Sequence, residues 1–100
     1  MTRNTLQKLK NGEPAIGSWL QISSPDVAEI IGSAGYDWVA VDMEHGSFSR
    51  SEVKDIFRAL ELAGTEPFVR VAETTRQNIK EALDAGAQGI ILPMIQDRDL

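Results

Sequence analysis

Three times along this chain a helix-like stretch ends in the dipeptide Ala-Gly, and an apolar run follows within a few residues. The pairs are Ala34-Gly35 before Trp38–Asp42, Ala63-Gly64 before Pro67–Val71, and Ala85-Gly86 before Gly89–Pro93. Helices that alternate regularly with strands imply parallel strands joined by right-handed crossovers, because a parallel neighbour is reached only by carrying the chain back across the sheet. Start signals agree with this period. Ser24-Pro25 offers an N-cap and a first-turn proline, Ser49-Arg50-Ser51-Glu52 reads as a capping box, and Thr74-Thr75-Arg76-Gln77 opens a third helix. Apolar residues then fall at helical spacing: Val27, Ile30, Ile31 and Ala34; Val53, Ile56, Phe57 and Leu60; Ile79, Ala82 and Leu83. A short helix over Asn4–Lys10, stopped at Asn11-Gly12, and a strand over Ile16–Gln21 precede them. The expected fold class is α/β with a parallel (β/α) repeat. Strands apolar on both faces suit a barrel wall and a doubly wound sheet equally.

One domain over residues 1–100 is expected from the length. Four strands cannot close a (β/α)8 barrel, which takes eight strands and roughly 250 residues, so in a barrel the chain would be half of one. Gln96–Leu100 resembles the start of a further helix, which favours a longer polypeptide over a partner chain that completes the sheet. The net charge of −5 argues against binding nucleic acid or an anionic membrane, both of which need a basic face. There is no cysteine, hence no disulfide, thiolate nucleophile or cysteine-ligated zinc, which suits a cytoplasmic protein. Charges at Arg3, Lys8, Lys10 and Glu13 speak against a signal peptide, and no apolar run approaches the ~18 residues of a membrane span.

Chemistry concentrates at one place. The strand Trp38–Val41 runs straight into Asp42-Met43-Glu44-His45-Gly46, which sets the chain's only histidine and two carboxylates at a strand's carboxyl end. In barrels and open α/β sheets that end faces the ligand. Parallel strands would line up Trp19 and Gln21, then Asp42, Glu44 and His45, then Arg70, then Pro93 and Met94 along one rim. This rim offers a proton acceptor, an anion clamp and an aromatic wall. Each residue also has a plainer reading: His45 as a structural residue, Trp19 as core, and Arg70 in a buried ion pair with Asp42 or Glu44, since an unpaired guanidinium inside an apolar strand is costly.

Absences narrow the reaction. The lysines Lys8, Lys10, Lys54 and Lys80 all fall in helix-like segments, which disfavours a Schiff base. No Gly-x-Ser-x-Gly elbow is present, and no Gly-x-Gly-x-x-Gly or Gly-Lys-Ser/Thr loop points to a dinucleotide or nucleoside triphosphate. Acid–base chemistry remains, with a metal ion as Lewis acid.

Gly17-x-Trp19-Leu20, Ala34-Gly35-Tyr36-Asp37-Trp38, Asp42-x-Glu44-His45, Pro67-x-Val69-Arg70 and Leu92-Pro93-Met94-Ile95-Gln96, in this order and spacing, resemble the amino-terminal part of the HpcH/HpaI family of metal-dependent pyruvate aldolases. The resemblance spans essentially the whole chain. It implies a TIM barrel that assembles into hexamers. It implies reversible cleavage of a 4-hydroxy-2-oxo acid to pyruvate and an aldehyde, with a divalent ion (magnesium, manganese or cobalt) holding pyruvate as its enolate. Arg70 would then bind the ketone or enolate oxygen, and His45 would move protons. Asp84 occupies the position of the aspartate that pairs with this histidine in the family. The repeat places Asp84 at the far end of a helix, reaching His45 only from a neighbouring subunit, so Asp42 is the simpler partner and both stay open. Trp19 would contact substrate, and Glu44 would orient water or His45 from behind. Metal ligands are expected outside this chain, and the isolated chain is expected to be inactive. The alternatives are a non-catalytic half-barrel that binds or assembles, and a related citramalyl- or malyl-type lyase.

Overall fold

The computed structural model describes residues 4–43 and 48–92. Among them α1 (Asn4–Lys10), β1 (Gly17–Leu20), α2 (Pro25–Gly32), β2 (Trp38–Asp42), α3 (Arg50–Ala63), β3 (Glu66–Arg70), α4 (Arg76–Ala85) and β4 (Gly89–Ile91) follow in strict alternation. The strands form one sheet in the order β1-β2-β3-β4, with every neighbouring pair parallel. A doubly wound sheet reverses its strand order at a switch point, and this one does not. The unbroken order is that of a (β/α)8 barrel wall, which resolves the choice the sequence left open.

Capping chemistry sets the helix boundaries. Ser24 Oγ accepts from the backbone N–H of Val27, with Pro25 in the first turn. The capping box of α3 is complete, since Ser49 and Glu52 each accept the other's backbone N–H. Thr75 caps α4 through Asn78 N–H. Gly64 and Gly86 end α3 and α4 in left-handed conformations, φ 94° and 111°, that residues with a Cβ rarely adopt. The third Ala-Gly pair does not end its helix. α2 stops at Gly32, where Ser33 folds back on Glu29 O, and Gly35 serves the following turn instead. Close packing is the reason: a Cβ on Gly32 would lie 2.8 Å from that of Ala63, so the chain turns where α2 crosses α3.

Period-2 alternation divides the strands between two faces. Leu20, Val39, Val41 and Val69 point toward the helices and join Ile56, Phe57 and Leu60 in the buried core. The predicted stripe of α3 is buried throughout. Those of α2 and α4 are corrected. Ile30 and Leu83 are exposed, and the packed faces run instead through Val27, Ala28, Ile31 and Gly32 and through Ala82 and Ala85.

The other face carries Trp19, Trp38, Ala40, Asp42, Phe68 and Arg70. Trp38 stacks on Phe68 with ring centroids 5.3 Å apart, and Trp19 meets Trp38 edge-on at 6.3 Å. These rings lie over glycines of adjacent strands. A Cβ at Gly17 would come within 2.0 Å of Trp38, and one at Gly89 within 2.6 Å of Phe68.

At the amino-terminal ends of the strands α1 is docked by polar contacts. Lys8 Nζ lies 2.7 Å from Asp37 Oδ1, Ile16 N–H donates to Asp37 Oδ2 at 2.9 Å, and Thr5 N–H donates to buried Glu66 at 3.0 Å. The hydrogen bonds from Lys8 and from Ile16 hold Asp37 below the usual carboxylate range.

Candidate functional site

Register creates the site. Asp42 and Arg70 are direct partners across β2 and β3, and Trp19 pairs with Ala40 one strand away. All three side chains therefore leave the sheet on the face opposite the helices, near the strands' carboxyl ends.

Asp42 is fully buried. Its Oδ1 accepts from Arg70 Nε at 3.1 Å, and its Oδ2 accepts from Arg70 Nη2 at 2.7 Å and from Gln21 Nε2 at 2.9 Å. The fork of the guanidinium matches the carboxylate edge, a geometry that fixes the orientation of both groups as well as their separation. Above the pair, the guanidinium carbon of Arg70 sits 4.5 Å from the ring centroid of Trp19, within cation–π range. The Arg70 side chain remains 25% exposed, so this clamped cation still opens toward the space in front of the sheet.

The ion pair raised as the plainer reading of Arg70 is thus present, with Asp42 as its acid among the described residues. In this pair two of the five guanidinium N–H groups meet Asp42 along one edge of the fork. Asp42 thus holds Arg70 in place through both of its oxygens. His45 and Glu44 lie outside the described residues.

Asp84 stands apart from this cluster. It is exposed, in the last turn of α4, and α4 runs from the carboxyl end of β3 back to the amino end of β4. It lines a groove of about 340 Å³ between α3 and α4, together with Met43, Arg50 and Lys54.

Sequence reasoning set Gln21 on the rim without giving it a role; its amide proves to be a direct ligand of Asp42. It did not find the anchor behind it. Ser23, two residues on, hydrogen-bonds Glu52 at the start of α3. The Ser23 and Ser49 hydrogen bonds lower the pKa of Glu52, which keeps this anchor charged near neutral pH. A Ser at that spacing gives no signal in sequence, since the contact depends on how α3 lies against the β1–α2 loop.

Among the described residues no three Asp, Glu or His side chains gather in a geometry for a metal ion. Asp42, the buried carboxylate of the rim, is already committed to Arg70 and Gln21. The described residues therefore do not make a divalent-cation centre by themselves. No helix among them is long and apolar enough to cross a membrane. A larger cavity of about 1030 Å³ lies at the opposite end of the sheet, lined by Lys8, Asp37, Glu66 and Arg58. Three of these charged groups dock α1, Lys8 by pairing with Asp37 and Glu66 by accepting from Thr5 N–H, while Arg58 pairs with Asp55 of its own helix.

A family model described as HpcH/HpaI aldolase/citrate lyase matches residues 15–99. A hydroxypyruvate/pyruvate aldolase of Agrobacterium fabrum is 41% identical over 88 residues, which is 88% of this chain and 33% of the relative. A 2-keto-3-deoxy-L-rhamnonate aldolase of Escherichia coli is 32% identical over 99 residues, 99% of this chain and 37% of the relative. Among solved structures, the citrate synthase SbnG superposes with a TM-score of 0.91 at 35% identity, over 98% of this chain and 40% of that one. An HpcH/HpaI aldolase/citrate lyase family protein of Burkholderia cenocepacia gives 0.89 at 37% identity, over 98% and 39%. The chain thus spans between a third and two fifths of the length of these relatives. With the family model matching residues 15–99 and both superpositions covering 98% of it, the chain belongs to the HpcH/HpaI aldolase/citrate lyase family.

Proposed function

We propose that this chain carries the arginine side of the active site of a carbon–carbon lyase that cleaves a 4-hydroxy-2-oxo acid to pyruvate and an aldehyde, and runs the reverse addition. The observation that carries the reading is the Asp42–Arg70–Trp19 arrangement: a cation fixed by a bidentate carboxylate and an aromatic face, yet open at the mouth of the sheet.

The difficulty of the reaction is charge. Breaking the carbon–carbon bond leaves an electron pair that becomes an enolate, and the developing negative charge settles on the oxygen of the former ketone. A donor already aimed at that oxygen stabilises it without reorganising, and removing one such donor typically lowers turnover by about 10²–10³-fold. Arg70 can do this because Asp42 and Trp19 have already fixed its rotation. Trp19, on the edge strand, would wall the substrate's side. His45, three residues beyond Asp42, would take the proton of the 4-hydroxyl group in cleavage and deliver it to the terminal carbon of the enolate to complete pyruvate, with both transfers reversed in synthesis, a task suited to an imidazole near neutral pH. Asp84 would raise the basicity of a histidine only across a subunit contact, which fits the homo-hexamer proposed from the family resemblance. The divalent ion (magnesium, manganese or cobalt) that this resemblance implies is not accommodated by the described residues, so its ligands are proposed to come from elsewhere in the whole protein.

The test is pyruvate release from a 4-hydroxy-2-oxo acid by the whole protein with magnesium or manganese added, before and after chelation. The reading predicts release that chelator abolishes, and no release by residues 1–100 alone. Release that chelator leaves untouched, or full activity of the 100-residue chain, contradicts it. The names of the relatives supply a second chemistry, citrate synthesis or cleavage; condensation of a keto acid other than pyruvate in the same assay would favour it.

A further inference from the structure

We infer that Gln21 is a positioning residue that sets the orientation of Arg70 through Asp42. This rests on Arg70 being the group that meets substrate, as proposed above.

Asp42 is buried against a bidentate guanidinium. A buried carboxylate has about four acceptor sites to satisfy, and an unmet one is costly. Arg70 fills one on each oxygen. Gln21 adds a donor to Oδ2 alone, on the oxygen that also takes the shorter of the two arginine contacts. With donors arriving at Oδ2 from β3 and from the residue that follows β1, the carboxylate cannot swing about its Cβ–Cγ bond without losing one of them. The fork of Arg70 inherits that fixed plane. Because the amide is neutral, it does this without competing for the charge of Asp42, so the cation keeps its carboxylate partner and its seat over Trp19.

The backbone that carries Gln21 is itself held at both sides. Leu20 is registered against Val41 in the sheet, and Ser23 is tied to Glu52 on the capping box of α3. Gln21 is exposed, so its contact with Asp42 is not imposed by core packing. An exposed glutamine otherwise has no reason to hold one rotamer against a buried acid, and anchoring on both flanks gives it a fixed starting point.

The experiment is hydrogen exchange of the Arg70 Nε–H by nitrogen-15 NMR in the whole protein, the signal being assigned by its disappearance in Arg70→Lys. In the native protein this N–H donates to Asp42 and is expected to exchange slowly. Gln21→Leu, which keeps the bulk and removes the donor, is expected to speed exchange about tenfold or more. Gln21→Asn, shorter by one methylene, is expected to do the same. Both should lower kcat by roughly ten- to a hundredfold with KM little changed, the signature of a misplaced catalytic group. Unchanged Arg70 exchange in Gln21→Leu overturns the inference, as does an Asn variant that behaves like wild type. Faster exchange in a protein that shows no lyase activity upholds the positioning role and sinks the proposed reaction instead, which keeps the two failures apart.

Discussion

Asp42 and Arg70 face each other across β2 and β3 in parallel register, so the fully buried carboxylate and the partly open guanidinium meet edge to edge. The asymmetry of exposure in this pair decides how each partner's loss is felt. Arg70→Ala takes the bidentate cation from a fully buried carboxylate, whereas Asp42→Asn takes the anion from a guanidinium that is already a quarter exposed.

Arg70→Ala is therefore expected to be the more destabilising, by about 2–4 kcal/mol, and Asp42→Asn less so. The double variant should lose less than the sum of the two, because the pair acts as one unit. Urea midpoints of the three variants check this. Equal losses in the two single variants would contradict the role assigned to burial.

The contact between Asp37 and Lys8 predicts a pH dependence of stability. Asp37 is held below its unfolded value of about 3.9, mainly by Lys8 and then by Ile16 N–H, so its contribution is present above that value and is lost as pH falls through the lower, folded one. Lys8 is shifted upward by the same hydrogen bond, so its contribution is present below its unfolded value of about 10.4 and is lost as pH rises through the raised one. Asp37→Asn should thus differ from wild type by a constant amount from about pH 5 to pH 9, with the difference shrinking below about pH 4 and above about pH 10.5. Thermal unfolding across this range measures it; a gap that widens in acid would contradict the assignment.

Gly17 and Trp38 occupy the same space from neighbouring strands. Gly17→Ala places a methyl carbon 2.0 Å from the indole, which must leave its stack on Phe68. A loss of about 1–3 kcal/mol is expected, together with a changed near-ultraviolet dichroism spectrum. A variant with native stability and an unchanged aromatic signal would show that the rings are not packed over the sheet as described.

Much of this fold is written locally. Ser24-Pro25, Ser49…Glu52, Gly64 and Gly86 each specify a helix end by hydrogen bonding or by a left-handed φ, and such signals need no knowledge of the tertiary structure. Errors arose where packing overrode spacing. Ile30 fits a helical stripe, yet the face that meets α3 is centred on Ala28 and Gly32, and the close approach at Ala63 ends α2 early. At the site, Asp42, Arg70 and Trp19 were legible from strand ends alone. Which acid Arg70 pairs with was not, because it depends on register. The buried Thr5–Glu66 contact beneath the sheet carries no sequence signal at all, since it joins residues 61 positions apart.

The claim on which the rest depends is that Arg70 acts through the fixed direction of its fork and not merely through its charge. Steady-state kinetics of Arg70→Lys in the whole protein tests this directly, since lysine keeps the charge and loses the planar fork. The account predicts a fall in kcat of about 10²-fold, with the circular dichroism spectrum and assembly of wild type. Turnover close to that of wild type in a well-folded Arg70→Lys protein would contradict it.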